Sequence, residues 1–153
     1  MKSVMTGRNI LLVDDEPDTA MVFKTALQDA GFIVQTYQDP IVALSEFTPG
    51  YYGLIILEVK MPKMNGFELY TKMLKVDSQI KCCFITAGEM YYDKIRSGQP
   101  EMQKKYCKLD TERFFQKPIS NIDLVNRIKR IMRQDKNLEL PQQKHRAYFS
   151  HKK

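Results

Sequence analysis

The N-terminal region, MKSVMTGRNILLVDDEP, has no long hydrophobic run: its apolar stretch ILLV lasts four residues before charges intervene. A secretory core needs about 7–15 apolar residues and a spanning helix about 20, so neither is present there and a cytoplasmic location is expected. Cysteine is scarce. Cys82, Cys83 and Cys107 are odd in number and lack CxxC spacing, which excludes a disulfide framework and leaves them as buried or half-buried thiols. Histidine is scarcer still, and His145 and His151 have no ligand-spaced partner for a structural metal. Internal repeats and low-complexity stretches are also missing. What remains is an ordinary globular composition, with 153 residues, 43% hydrophobic and 27% charged, enough for one domain with its own core.

The formal charge of +6 suggests an anionic partner until it is divided along the chain. Residues 1–120 hold 15 basic and 15 acidic side chains, residues 121–135 hold four against two, and residues 136–153 hold five against one. The excess is C-terminal. A basic tail weakly favours phosphates or anionic membranes. The plainer reading is a solvated tail that aids solubility, so neither nucleic acid nor a membrane is expected as a partner.

RNILLV (8–13) has strand length and stops at Asp14, Asp15 and Glu16 before Pro17. Proline suits the first helical position and the acids suit the N-terminal turn. Ala20, Val22, Phe23, Ala26 and Leu27 then recur near helical spacing until Ala30-Gly31. FIVQTY (32–37) reads as a second strand, and Asp39-Pro40 opens a second helix with Ile41, Ala43, Leu44 and Phe47 as its apolar positions and Pro49-Gly50 as its stop. LIILEV (54–59) is nearly all apolar, as expected of a central strand buried on both faces of a parallel sheet. Asn65-Gly66 gives a turn, and Phe67, Leu69, Tyr70, Met73 and Leu74 form the apolar side of a third helix. KCCFI (81–85) is a fourth strand leading to Thr86, and RFFQ (113–116) a short fifth. Ile122, Val125, Ile128, Ile131 and Met132 mark a final helix ending near Gln134. Between Gly88 and Asp110 the pattern blurs into short helical turns broken at Ser97–Pro100. Five strands alternating with helices predict an α/β fold, a doubly wound five-stranded parallel sheet with helices on both faces.

Such sheets bind ligands outside the carboxyl ends of their strands. The strands here end in Asp14-Asp15, Glu58, Thr86 and Lys117-Pro118. Three crowded carboxylates repel one another, and a hard divalent cation relieves this; oxygen-only ligands favour magnesium (Mg2+). A lysine opposite and a hydroxyl alongside suit a phosphoryl group beside the metal. Taken singly, each residue has a plainer reading. The acids before Pro17 would cap a helix, Glu58 would be a solvated strand end, Thr86 an ordinary β-branched strand residue, Lys60 and Lys117 surface charges, and Phe114 a core aromatic. Only their joint arrangement points to a site.

LLVDDEP (11–17), LIILEVKMPKMNGFEL (54–69), ITAG (85–88) and FFQKP (114–118), in that order, resemble the receiver domain of two-component response regulators, a flavodoxin-like fold, over about residues 7–134. The resemblance implies that Asp15 is a direct magnesium ligand and Asp14 its partner, commonly through water. Glu58 takes the phosphoacceptor place and shares the metal, to which Lys60 gives its backbone carbonyl. Thr86 and Lys117 hold phosphoryl oxygens, Phe114 is the aromatic switch that reports their state, and the Lys117-Pro118 bond is cis. A histidine kinase or phosphotransfer protein is the implied phosphoryl donor. The implied role is signalling rather than that of an enzyme acting on a separate substrate.

The family uses aspartate where this chain has Glu58. The extra methylene displaces the attacking oxygen, and a displacement of about 1 Å can cost on the order of 100-fold in rate, so impaired phosphorylation is expected. The same methylene carries negative charge toward Thr86 and Lys117, which imitates the phosphorylated state in part. The alternative is a phosphorylation-independent pseudo-receiver that serves as a protein interaction module.

The residues after the receiver are too few to bury a second core, so a basic tail over 135–153 with no separate output domain is expected. The resemblance then places the output on a surface formed by the fourth helix, fifth strand and fifth helix, where a downstream protein or a second copy in a homodimer would dock. The stretch 88–112 is longer than receivers usually have, and Tyr91, Tyr92, Met102 and Tyr106 are expected either to meet a specific partner or to pack the enlarged segment onto the body.

Overall fold

A computed structural model describes residues 7–87 and 113–139, with side chains through Arg133. The sequence readings for 88–112 and for 140–153 lie outside the described residues.

The elements are β1 (Asn9–Val13), α1 (Pro17–Asp29), β2 (Ile33–Tyr37), α2 (Pro40–Ser45), β3 (Leu54–Glu58), α3 (Gly66–Val76), β4 (Cys82–Thr86), β5 (Phe114–Gln116) and a C-terminal helix (Asn121–Glu139). All strand pairs are parallel, in the order β2-β1-β3-β4-β5. The chain leaves β1 toward β2 and then crosses back to β3, so the strand order reverses beside β1. The carboxyl ends of β1 and β3 meet at that switch point.

Local chemistry explains the helix starts. Asp39 caps α2 by accepting the Ile41 N–H at 2.8 Å, with Pro40 in the first helical position. Asn65 and Glu68 cap α3 reciprocally, each side chain accepting the other's backbone N–H at 2.9 Å. The Ser120 hydroxyl accepts the Asp123 N–H at 3.1 Å at the head of the C-terminal helix.

Alternation along the strands divides the core in two. Leu11, Val13, Ile55, Leu57, Cys82, Phe84 and Phe114 face α2 and α3, while Ile10, Leu12, Leu54, Ile56, Cys83, Ile85 and Phe115 face α1 and the C-terminal helix. Both faces of the central strands are thus dry, as their unbroken apolar runs require.

Three helical positions correct the sequence reading. Val22, Ile41 and Ile122 were expected on apolar faces and are 49%, 45% and 73% exposed. The inward arcs are set instead by Ala20, Phe23 and Leu27, by Ala43, and by Leu124, Ile128 and Ile131. Each exposed residue lies about 100° or more from an inward neighbour. The final helix also continues to Glu139 rather than ending near Gln134. Nothing in Asp135–Glu139 breaks a helix, and Pro141 disfavours helical backbone at the residue before it.

Candidate functional site

Asp14 follows β1 directly and is fully buried. Its N–H donates to the Tyr37 carbonyl at 3.0 Å, and its Oδ1 accepts the Glu16 N–H at 3.0 Å. Glu58, the last residue of β3, is also buried, and its Oε2 accepts the Lys60 N–H at 3.2 Å. Between these acids lies the Lys117 ammonium, 2.9 Å from Asp14 Oδ2, 2.7 Å from Glu58 Oε1 and 3.6 Å from Glu16 Oε1. The Lys117 backbone is fixed as well, because its N–H donates to the Thr86 carbonyl at 2.9 Å. The Lys117-Pro118 bond is cis.

The fold therefore joins Asp14, Glu58 and Lys117 by side chains and Thr86 by its backbone. Asp15, Glu16, Glu58, Lys60, Thr86 and Lys117 line an open cleft of about 440 Å³ at this end of the sheet. Phe114 is buried on the α3 side, stacked on Phe84 at 5.2 Å with 14° between the ring planes. Phe84 in turn meets Phe67 at 4.8 Å and Tyr70 at 5.6 Å.

Burial pushes the Glu58 carboxyl above its ordinary value against the pull of Lys117 and the Lys60 N–H, and Asp14 adds to the rise. Burial likewise raises Asp14, opposed by the Glu16 N–H and Lys117. For Lys117, burial alone would lower the ammonium, but hydrogen bonds and charge from Glu58 and Asp14 together lift it above the usual lysine value.

With Asp14, Asp15 and Glu58 ionised, one lysine leaves negative charge uncompensated, and all the donors are oxygens. Among the described residues, no three His, Cys, Asp or Glu side chains gather into a metal-holding group. Magnesium commonly uses only one or two carboxylates and keeps several waters, so the donor set fits it in kind and in charge.

Three supporting residues escaped the sequence reading. The Tyr37 carbonyl anchors Asp14, and Glu16 was counted only as a helix-capping acid. Gly66 was read as a turn residue, yet a Cβ there would overlap the Glu58 carbonyl oxygen, and its N–H donates to the Val59 carbonyl at 2.8 Å. A glycine eight residues after a strand-end acid was the available signal.

Residues 10–129 match the family described as response regulator receiver domain. The chain belongs to that family. This receiver is 31% identical over 124 residues to the transcriptional regulatory protein CpxR homolog of Haemophilus influenzae, covering 81% of this chain and 50% of that protein. It is 29% identical over 124 residues to the transcriptional activator protein IrlR of Burkholderia pseudomallei, with the same two coverages of 81% and 50%. The receiver thus spans about half the length of these relatives. Among solved structures, the response regulator TrrA from Thermotoga maritima, in complex with Mg2+–BeF, superimposes with a TM-score of 0.65 at 28% identity, covering 80% of this chain and 97% of that one. The flavodoxin-like receiver fold expected from the sequence is thereby established. No helix among the described residues is long and apolar enough to cross a membrane.

Proposed function

We propose that this receiver serves a two-component phosphorelay with Glu58 in the phosphoacceptor place, impaired in accepting a phosphoryl group and held partly in the phosphorylated-like state. The observation that carries this reading is the buried Glu58 carboxylate on the Lys117 ammonium at 2.7 Å. The longer acid engages the lysine that would otherwise hold a phosphoryl oxygen. Burial of Phe114 against Phe84 supports the same reading, since the proposed switch aromatic is turned inward. The imitation is partial because a carboxylate brings one charge and two oxygens, whereas a phosphoryl group brings about −1.5 to −2 and three.

Asp15, Glu58 and the Lys60 carbonyl are the proposed direct magnesium ligands, with Asp14 their partner through water, and the ion would supply positive charge beside incoming phosphoryl oxygens. Thr86 and Lys117 are the proposed holders of those oxygens. A histidine kinase or phosphotransfer protein is the proposed donor, and a downstream protein or second copy the proposed receiver of the signal.

One observation favours a second reading, a phosphorylation-independent interaction module. Lys117 already bridges Asp14 and Glu58, so part of the buried negative charge is met within the chain. Incubating the protein and its Glu58→Asp variant with magnesium and either beryllofluoride or acetyl phosphate separates the two. Under the first reading the aspartate variant forms a metal-dependent adduct, and the parent forms about 100-fold less or none. If neither forms an adduct, the second reading stands. Equal labelling of both would show that the methylene costs nothing and would overturn the impairment.

A further inference from the structure

Among the described residues, the rings below the cleft form a connected stack with Phe84 at its centre. Its Cα is paired with that of Phe114 across β4 and β5. The two rings lie nearly parallel, 14° apart, with their centroids at 5.2 Å. Phe84 also meets Phe67 at 4.8 Å and Tyr70 at 5.6 Å, the latter edge to face. Offset-parallel and edge-to-face contacts at such spacings attract beyond the area they bury. All of these rings are buried, Phe84 almost completely.

The stack is anchored at both ends. Phe67 and Tyr70 stand about one turn apart at the head of α3, which the Asn65–Glu68 capping box and the close approach of Gly66 to Glu58 fix against β3. At β5, the Arg127 Cζ lies 4.1 Å from the centroid of the Phe115 ring, and its Nη2 is 3.5 Å from the Phe114 carbonyl oxygen. Phe115 belongs to the other core, so the strand is gripped from the opposite face of the sheet. Rotation of the side chain is then the simplest way for Phe114 to leave the stack.

We propose that Phe84 is a built-in catch for Phe114, holding the ring inward whatever the state of the cleft. Burial and stacking together favour the inward ring by a factor on the order of 100. The Glu58 carboxylate acts on Lys117 at the strand ends, whereas Phe114 packs on the side of the sheet that faces α2 and α3. This inference rests on the proposed function for the meaning of an inward ring, and it gives the phosphorylated-like state two separate sources, the charge of Glu58 and the stack on Phe84.

The test places para-fluorophenylalanine at position 114 of the full chain and records fluorine NMR with a soluble gadolinium chelate, whose broadening of the signal measures exposure of the ring. The parent signal should be barely broadened. Glu58→Gln removes the charge, keeps the side chain's shape and leaves Lys117 its Asp14 partner, so the broadening should not change. Phe84→Leu keeps an apolar side chain without the stacked ring and should raise the broadening about 2–10-fold. Leu27→Ala, which weakens the other core, should leave it as in the parent and so separates a lost stack from lost stability.

Broadening that rises in Glu58→Gln would put the ring under the control of the carboxylate and overturn the proposal. A strongly broadened parent signal, no rise in Phe84→Leu, or an equal rise in Leu27→Ala would overturn it as well. The Glu58→Gln comparison leaves the core untouched, so it decides even where Phe84→Leu does not fold. None of these outcomes bears on adduct formation by Glu58→Asp, so failure of the catch and failure of the proposed function are told apart.

Discussion

At 11% side-chain exposure, the Lys117 ammonium touches Asp14 at 2.9 Å and Glu58 at 2.7 Å, both of them buried. Replacing one member of such a group costs more than the group itself contributes, because the survivors are left charged and without a partner. Lys117→Met should therefore destabilise the fold by about 3–5 kcal/mol near neutral pH. The direction of the pH effect follows from the shifts. Burial holds Glu58 and Asp14 above their ordinary values of 4.5 and 3.8, so the folded chain binds their protons more tightly than the unfolded chain. Their contribution to stability is greatest below those ordinary values and falls as pH rises through the raised folded ones. The contribution of Lys117 is present in full below 10.5 and is lost as pH rises through its higher folded value. In Lys117→Met the two carboxyls lack their counter-ion and take up protons more readily still. The deficit in urea denaturation should therefore be smaller at about pH 5 than at about pH 7. The same deficit at both would mean that the lysine acts through packing alone.

The turn from β3 into α3 holds Glu58 from behind. Gly66 packs so closely against β3 that an added Cβ would overlap the Glu58 carbonyl oxygen and stand 3.1 Å from the Val59 Cα. Backbone atoms cannot swing aside as a side chain does. Gly66→Ala should cost about 1–3 kcal/mol in chemical denaturation, and loss of less than about 0.5 kcal/mol would show that the loop yields. In the sequence, Asn65-Gly66 announced a turn, but the reciprocal capping of Asn65 with Glu68 and the glycine's closeness to Glu58 emerge only in the structure, the latter from how α3 lies over the strand. The C-terminal helix shows a similar division. Its inward positions were legible in Ile128 and Ile131, while its end at Glu139 was not, because continuation through Asp135–Glu139 depends on the absence of a breaker rather than on apolar spacing. Ile122 misled the periodic reading, since an apolar residue at the head of a helix counts toward a face that nothing covers there.

At the scale of the whole fold, the described residues form one sheet with a core on each side, Leu27 lying in one and Met73 in the other. Leu27→Ala and Met73→Ala should each cost about 2–5 kcal/mol. Because the two clusters share no residue, the double variant should lose their sum within about 0.5 kcal/mol and still unfold in a single transition. Two transitions would mean that the faces unfold separately. The sequence by itself determined the strand and helix order, the burial of both faces of the central strands, and the placing of Asp14, Glu58, Thr86 and Lys117 at strand ends, because these follow from apolar period and chain order. Only the tertiary structure decided that Lys117 lies between Asp14 and Glu58, that Tyr37 and Gly66 hold those acids from behind, and that Phe84 and Phe114 stack across adjacent strands. Contacts between residues as distant in sequence as Asp14 and Lys117 depend on how strands order themselves across the sheet, and no local pattern of side chains records that.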